Sequence, residues 1–187
     1  AAPLTQEGSP LANQTWVRLG GPIGGLGYDI RMRPDNPDIM YVSDAWAGVH
    51  KSTDSGATWF TLNDGIDART GPSGDAIPVF CLTIDPNNYD IIWIGLQDLG
   101  AVYRSEDGGQ TWEKRINGIV EREGLTFRGI TVEPGNSDVI YIAGEISSWA
   151  GGRPERRGRE FDMAEGGVYK TVDGGNSWKA VWRGQSL

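Results

Sequence analysis

Apolar and polar positions alternate in short bursts along this chain. Residues 30–33 (Ile-Arg-Met-Arg), 82–85 (Leu-Thr-Ile-Asp) and 130–133 (Ile-Thr-Val-Glu) each switch character at every step. That period of two is the mark of a strand with one face buried. A turn rich in Pro, Asn, Gly and Asp follows each burst, and then a strongly apolar run at 39–42, 91–94 and 139–142. The pattern reads as strand, tight turn, strand, three times over.

A further motif closes each copy. Lys51-Ser52-Thr53-Asp54-Ser55-Gly56-Ala57-Thr58-Trp59 aligns with Arg104-Ser105-Glu106-Asp107-Gly108-Gly109-Gln110-Thr111-Trp112 and with Lys170-Thr171-Val172-Asp173-Gly174-Gly175-Asn176-Ser177-Trp178. The shared pattern is basic, Ser/Thr, x, Asp, x, Gly, x, Ser/Thr, Trp, so one period is roughly 50–65 residues. Each repeat predicts four strands, A to D. They fall at 27–33, 39–43, 48–52 and 58–62, then 79–85, 91–95, 101–105 and 111–115, then 127–133, 139–143, 167–171 and 177–181. Asp accepts backbone N–H groups of its own turn, Gly supplies positive φ, and Trp returns to pack between sheets. Asp54, Gly56, Trp59, Asp107, Gly109, Trp112, Asp173, Gly175 and Trp178 are therefore read as structural. The expected fold is all-β, a β-propeller of four-stranded antiparallel blades at 27–62, 79–115 and 127–182.

Composition agrees with this picture. Of 187 residues, 28 are Gly and 8 are Trp, a helix-poor balance suited to short strands and tight turns. With 17 basic and 25 acidic residues the chain carries −8. That disfavours nucleic acid and anionic lipid as partners, and no apolar run is long enough for membrane insertion as a helix. Cys81 is the lone cysteine and lies in an apolar run, as a buried thiol would. With His50 the single histidine, no Cys/His metal set forms and a Ser-His-Asp triad has no support. No metal and no cofactor is expected.

These turns resemble the Asp-boxes of the BNR-repeat propellers, a group that includes sialidases, sortilin-type receptors, photosystem assembly propellers and xyloglucan-degrading glycoside hydrolases. The resemblance runs over residues 15–182. The sequence Pro-x-Asn-x-Asp-Ile-x-Tyr, followed by the Asp motif, looks most like the sortilin and xyloglucanase branch. The resemblance implies the fold far more than the function. It further implies that ligands bind on the face carrying the B–C and D–A loops. In xyloglucanases a general-base Asp follows strand B of an early blade. Asp44, in Tyr41-Val42-Ser43-Asp44-Ala45-Trp46-Ala47-Gly48, matches it loosely, without the preceding Arg-Thr. The sialidase pattern of three arginines with a Tyr and a Glu does not fit.

Length variation also gathers on that face, as expected of a binding surface on a rigid scaffold. The 63–77 connection carries Asp64, Asp67, Arg69 and Asp75. The 145–166 connection carries Trp149 and the run Arg153-Pro154-Glu155-Arg156-Arg157-Gly158-Arg159. Trp46 and Trp149 hold equivalent places and suit either sugar stacking, a partner contact, or folding over their own blade. Asp98 and Glu145 add carboxylates, and Arg153, Arg156, Arg157 and Arg159 suit an anionic group or a mobile solvated loop.

Two functions follow. One is a non-catalytic propeller segment that binds a protein or a polysaccharide through the B–C and D–A loops. The other is the N-terminal part of a secreted glycoside hydrolase with Asp44 in its cleft, which requires an Asp44 that is neither buried nor bonded to its own blade. The start Ala1-Ala2-Pro3 resembles the residue of signal cleavage, so an extracellular or periplasmic location is expected. Residues 15–19 (Thr-Trp-Val-Arg-Leu) read as one extra strand of the D type. Closed propellers have about four to eight blades, so further blades are expected from a longer chain or from another chain.

Overall fold

The computed structural model describes residues 24, 26–119, 124–146 and 165–183. The expected extra strand at 15–19, Trp149 and the four arginines of 153–159 lie outside them. The described residues form three antiparallel sheets of four strands, each built of strands consecutive in the chain. Blade 1 is β1 (Gly27–Met32), β2 (Met40–Asp44), β3 (Gly48–Ser52) and β4 (Phe60–Thr61). Blade 2 is β5 (Val79–Ile84), β6 (Ile92–Leu96), β7 (Val102–Ser105) and β8 (Glu113–Lys114). Blade 3 is β9 (Leu125–Glu133), β10 (Asn136–Ile146), β11 (Glu165–Thr171) and β12 (Lys179–Arg183). The first strands of successive blades pack on one another, so they form the narrow inner end of the array.

Two outcomes differ from the strand pattern read off the chain. The fourth strands of blades 1 and 2 are only two residues long, because each leaves its sheet early to meet the next blade. The β9–β10 hairpin is longer than expected and pairs out to Leu125 opposite Ile146, with Ile146 also opposite Glu165 on β11.

The three aspartate turns are built alike. Asp54 Oδ1 accepts from Ser52 Oγ and from the Thr58 N–H, both at 2.8 Å, and its Oδ2 accepts from Thr58 Oγ1 at 2.6 Å. Asp107 repeats this with Ser105 and Thr111, and Asp173 with Thr171 and Ser177. Gly56, Gly109 and Gly175 have φ of 85°, 89° and 85°, the left-handed region that favours glycine. At Gly175 a Cβ would stand 2.4 Å from the Trp93 ring, so the position also serves close packing.

Each carboxylate is consequently a better acid than usual. The Ser177 and Thr171 hydroxyls lower Asp173 from the ordinary 3.8 to about 2, and Thr58 holds Asp54 below its ordinary value. Burial pushes Asp107 upward, but hydrogen bonds from Thr111 and Ser105 outweigh it. A group whose pKa is lowered by folding stabilises the fold above its unfolded pKa and loses that contribution as pH falls through the folded value. The Asp173 turn should therefore hold fully above pH 3.8 and fail toward pH 2. Melting temperatures from pH 5 to pH 2 should fall more gently in Asp173→Asn than in the wild type. Parallel curves would show that the turn's charge plays no part.

Two cores lie between blades rather than within them. Tyr41 and Val49 of blade 1 meet Leu82, Ile92, Ile94, Tyr103 and Trp112 of blade 2. Trp93 and Val102 of blade 2 meet Phe127, Val132, Ile140, Ile142 and Trp178 of blade 3, with the Trp93 and Trp178 rings edge-on at 6.0 Å. Cys81 is buried and unbridged, and burial pushes its thiol up to about 12. His50 is buried too, with Nδ1 3.2 Å from Thr61 Oγ1, and desolvation holds its pKa below 6.5.

One latch joins consecutive blades, and strand periodicity gives no sign of it. The Trp112 N–H donates to Asp64 O and its indole to Leu62 O, both at 2.9 Å. Trp178 does the same to Asn117 O at 2.8 Å and Arg115 O at 3.0 Å. Each Trp thus ties its own blade to the exit of the preceding fourth strand. Gly65 and Gly118 complete the latch at φ of 86° and 91°, where a Cβ would lie 2.1 Å from the carbonyl oxygen of Trp112 or Trp178. On the other side of the first junction, Tyr41 Oη and Lys51 Nζ both donate to Gly108 O, at 3.1 and 3.0 Å.

Candidate functional site

A cavity of about 570 Å³ opens between blades 1 and 2, on the end of the sheets that carries the B–C and D–A loops. Its walls come from three places. Blade 1 gives Leu26, Tyr28 and Trp46, the 63–77 connection gives Thr70, Gly71 and Pro72, and blade 2 gives Pro78, Gln97 and Asp98. The lining is mostly apolar with polar groups at one side, the usual build of a ligand site.

Backbone pairing holds these loops in place. Trp46 O accepts from the Ile77 N–H at 3.0 Å, Pro78 O from Gln97 at 2.8 Å, and Ala47 bridges Ile77 in parallel. Trp46 keeps 49% of its surface exposed although its loop is pinned. Its ring edge lies against Gly71, where a Cβ would come within 3.2 Å of Cζ3, so glycine there lets the indole approach the connection closely. Asp98 adopts a left-handed φ of 65°, and the Thr126 hydroxyl donates to its Oδ1 at 3.4 Å. Its own N–H donates to Thr126 Oγ1 at 3.0 Å. Such backbone strain gathers at functional sites.

Asp44 is placed differently from the expectation of a cleft carboxylate. It is buried, and its Oδ1 accepts from the Trp46 and Ala47 N–H groups at 2.7 and 2.9 Å. Its Oδ2 accepts from the Leu26 N–H at 2.9 Å. A Cβ on Gly24 would sit 2.5 Å from that same oxygen. Asp44 therefore folds the Trp46 loop and fastens it to the entry of β1, which argues against a general-base role. Asp44→Ala should lower the urea-unfolding free energy by about 1–3 kcal/mol, since three part-buried N–H groups lose their charged acceptor. Unchanged stability would show that the carboxylate is not structural.

Glu145 is not on a loop. It lies in β10 opposite Thr126 and Gly166, and Arg128 Nε donates to its Oε1 at 2.9 Å, with Nη2 on the same oxygen. In the 63–77 connection, Asp67 accepts from the Tyr103 hydroxyl, which lowers its pKa, and Asp75 accepts from Ser73. Trp46 and Asp98 are thus brought together at one cavity, while Asp44 and Glu145 are engaged within their own blades. No cluster of three or more His, Cys, Asp or Glu suited to a metal occurs among the described residues, nor does a helix long and apolar enough to cross a membrane.

YCF48 from Cyanidioschyzon merolae superposes with a TM-score of 0.57 at 18% identity, covering 92% of this chain and 44% of its own. The fold is a β-propeller's. Among curated proteins, a xyloglucanase of Paenibacillus sp is 25% identical over 190 residues, which is 91% of this chain and 18% of the relative. The oligoxyloglucan-reducing end-specific xyloglucanase of Emericella nidulans is 24% identical over 184 residues, with 89% and 20% covered. Xyloglucanase Xgh74A of Acetivibrio thermocellus is 29% identical over 161 residues, with 76% and 17% covered. The propeller therefore spans about a fifth of the length of the first two. No family model matches it.

Proposed function

We propose that this chain is a propeller segment of a glycoside-hydrolase-like protein and binds a neutral polysaccharide of the xyloglucan kind on its loop face. The observation that carries the reading is the cavity walled by Trp46, Tyr28 and two prolines, with Asp98 and Gln97 at its side. Aromatic faces stack on the C–H face of a sugar ring, and amide and carboxylate groups meet its hydroxyls. The xyloglucanase relatives support a glycan over a protein ligand. A ligand of that kind goes with an extracellular or periplasmic location.

The same reading supplies the further blades. Tyr141 and Lys170 in blade 3 repeat the places of Tyr41 and Lys51, and Lys170 Nζ stands 5.0 Å from the Tyr141 ring centroid. Tyr41 and Lys51 grip the aspartate turn of blade 2, whereas Tyr141 is exposed. A further blade of the longer protein covers that face, gripped through its own aspartate turn.

Isothermal titration with xyloglucan tests the glycan reading. The wild type should bind, and Trp46→Ala should weaken binding about tenfold, equivalent to about 1.4 kcal/mol. Absence of wild-type binding, or equal affinity in the variant, would overturn it.

A further inference from the structure

Each inner strand carries one surplus residue, and at the same place. In β1, Gly27 pairs with Asp44 and Asp29 with Ser43, so Tyr28 has no partner. In β5, Val79 pairs with Leu96 and Cys81 with Gly95, which leaves out Phe80. In β9, Phe127 pairs with Gly144 and Gly129 with Ala143, which leaves out Arg128. These are β-bulges, which re-aim a side chain and gather beside functional sites.

The three surplus side chains meet. The Tyr28 and Phe80 rings lie with centroids 4.0 Å apart, tilted by 32°. The Arg128 guanidinium carbon stands 4.2 Å from the Phe80 centroid, and Arg128 is held by Glu145. Ring, ring, guanidinium and carboxylate thus form one strip across three blades. It starts at the cavity, because Tyr28 is also a wall of that cavity. The strip is not core: Tyr28 is 44% exposed, and the Arg128 and Glu145 side chains keep 33% and 36% of their surface.

We propose that this strip is a second subsite, taking further rings of the same neutral glycan beyond those in the cavity. The inference rests on the reading given under Proposed function. Its chemistry is specific to a neutral chain. The face of Tyr28 turned away from Phe80 suits a sugar C–H face. Phe80 is held between Tyr28 and Arg128 and sets the place of both, and the Arg128–Glu145 pair offers donors and an acceptor side by side with no net charge. An anionic ligand would have to displace Glu145 from Arg128.

Titration with cello-oligosaccharides of two and six residues, and with xyloglucan, tests this. Wild-type affinity should rise at least tenfold from the two-residue to the six-residue ligand. Phe80→Leu and Arg128→Gln should each remove most of that gain and leave the two-residue affinity unchanged, at unaltered melting temperature. Equal wild-type affinity for both lengths would overturn the strip, as would variants that bind the long ligand as well as the wild type does. A loss that is the same for both lengths would also overturn it, by showing that the strip only shapes the cavity. In those three cases a binding loss in Trp46→Ala still upholds the cavity. Absence of any wild-type binding removes both.

Discussion

Trp112→Ala is expected to destabilise the chain by about 3–5 kcal/mol, the usual effect of deleting a buried Trp. Trp112 is nearly buried in the core between blades 1 and 2. Its loss opens a cavity there and strands Leu62 O, while the backbone bond from residue 112 to Asp64 O survives. The damage should therefore be local to one junction. Urea unfolding followed by tryptophan fluorescence would measure the loss, and hydrogen exchange would place it in blades 1 and 2. A change below about 1 kcal/mol would mean that the indole does not hold the junction. Trp46→Ala is the contrast: half exposed, it should change stability by no more than about 0.5 kcal/mol, as surface substitutions do.

Gly118→Ala is the second large effect, at about 2–5 kcal/mol. Two causes add. Residue 118 has φ of 91°, where a side chain costs about 1–2 kcal/mol. The new Cβ would also lie 2.1 Å from Trp178 O, a backbone atom that moves only if blade 3 moves. Overpacking of that kind costs about 1–3 kcal/mol more. Gly74→Ala separates the causes, since φ there is 70° but nothing lies within 4 Å of the added atom. It should lose only the conformational part. Equal losses in the two variants would show that the close approach of residue 118 to Trp178 O plays no part in stability.

The fold was legible because its signals are local. Alternation, the Pro/Asn/Asp turns and the aspartate turns each act within a few residues. The exception to that legibility is Trp59: expected to pack between sheets, it is half-buried, outside both cores, and donates its indole N–H to Gly56 O of its own turn at 3.0 Å. Trp112 and Trp178 were legible as core because their motif is local too. What joins the blades was not. Gly118 follows Asn117 and Gly65 follows Asn63-Asp64, which is a visible turn signal, but its meaning depends on a Trp far along the chain. The bulges at Tyr28, Phe80 and Arg128 were hidden too, because alternation carries no trace of a residue left out of the ladder.

The site was legible in part. The face was implied by the family resemblance, with loop length gathering on the same side, and Trp46 and Asp98 meet at one cavity there. Asp44 looked like a free loop carboxylate because a sequence shows its neighbours but not the backbone N–H groups that converge on it. Glu145 looked like part of a loop because the reach of the β9–β10 hairpin is set by pairing across the sheet.

In the proposed complex a neutral glycan lies against Trp46. Indole N–H signals in a proton–nitrogen correlation spectrum, followed while xyloglucan oligosaccharide is added, report it most directly. The Trp46 signal should shift in a saturable way while those of the core residues Trp93, Trp112 and Trp178 stay in place. A Trp46 signal unmoved at saturating oligosaccharide would contradict it.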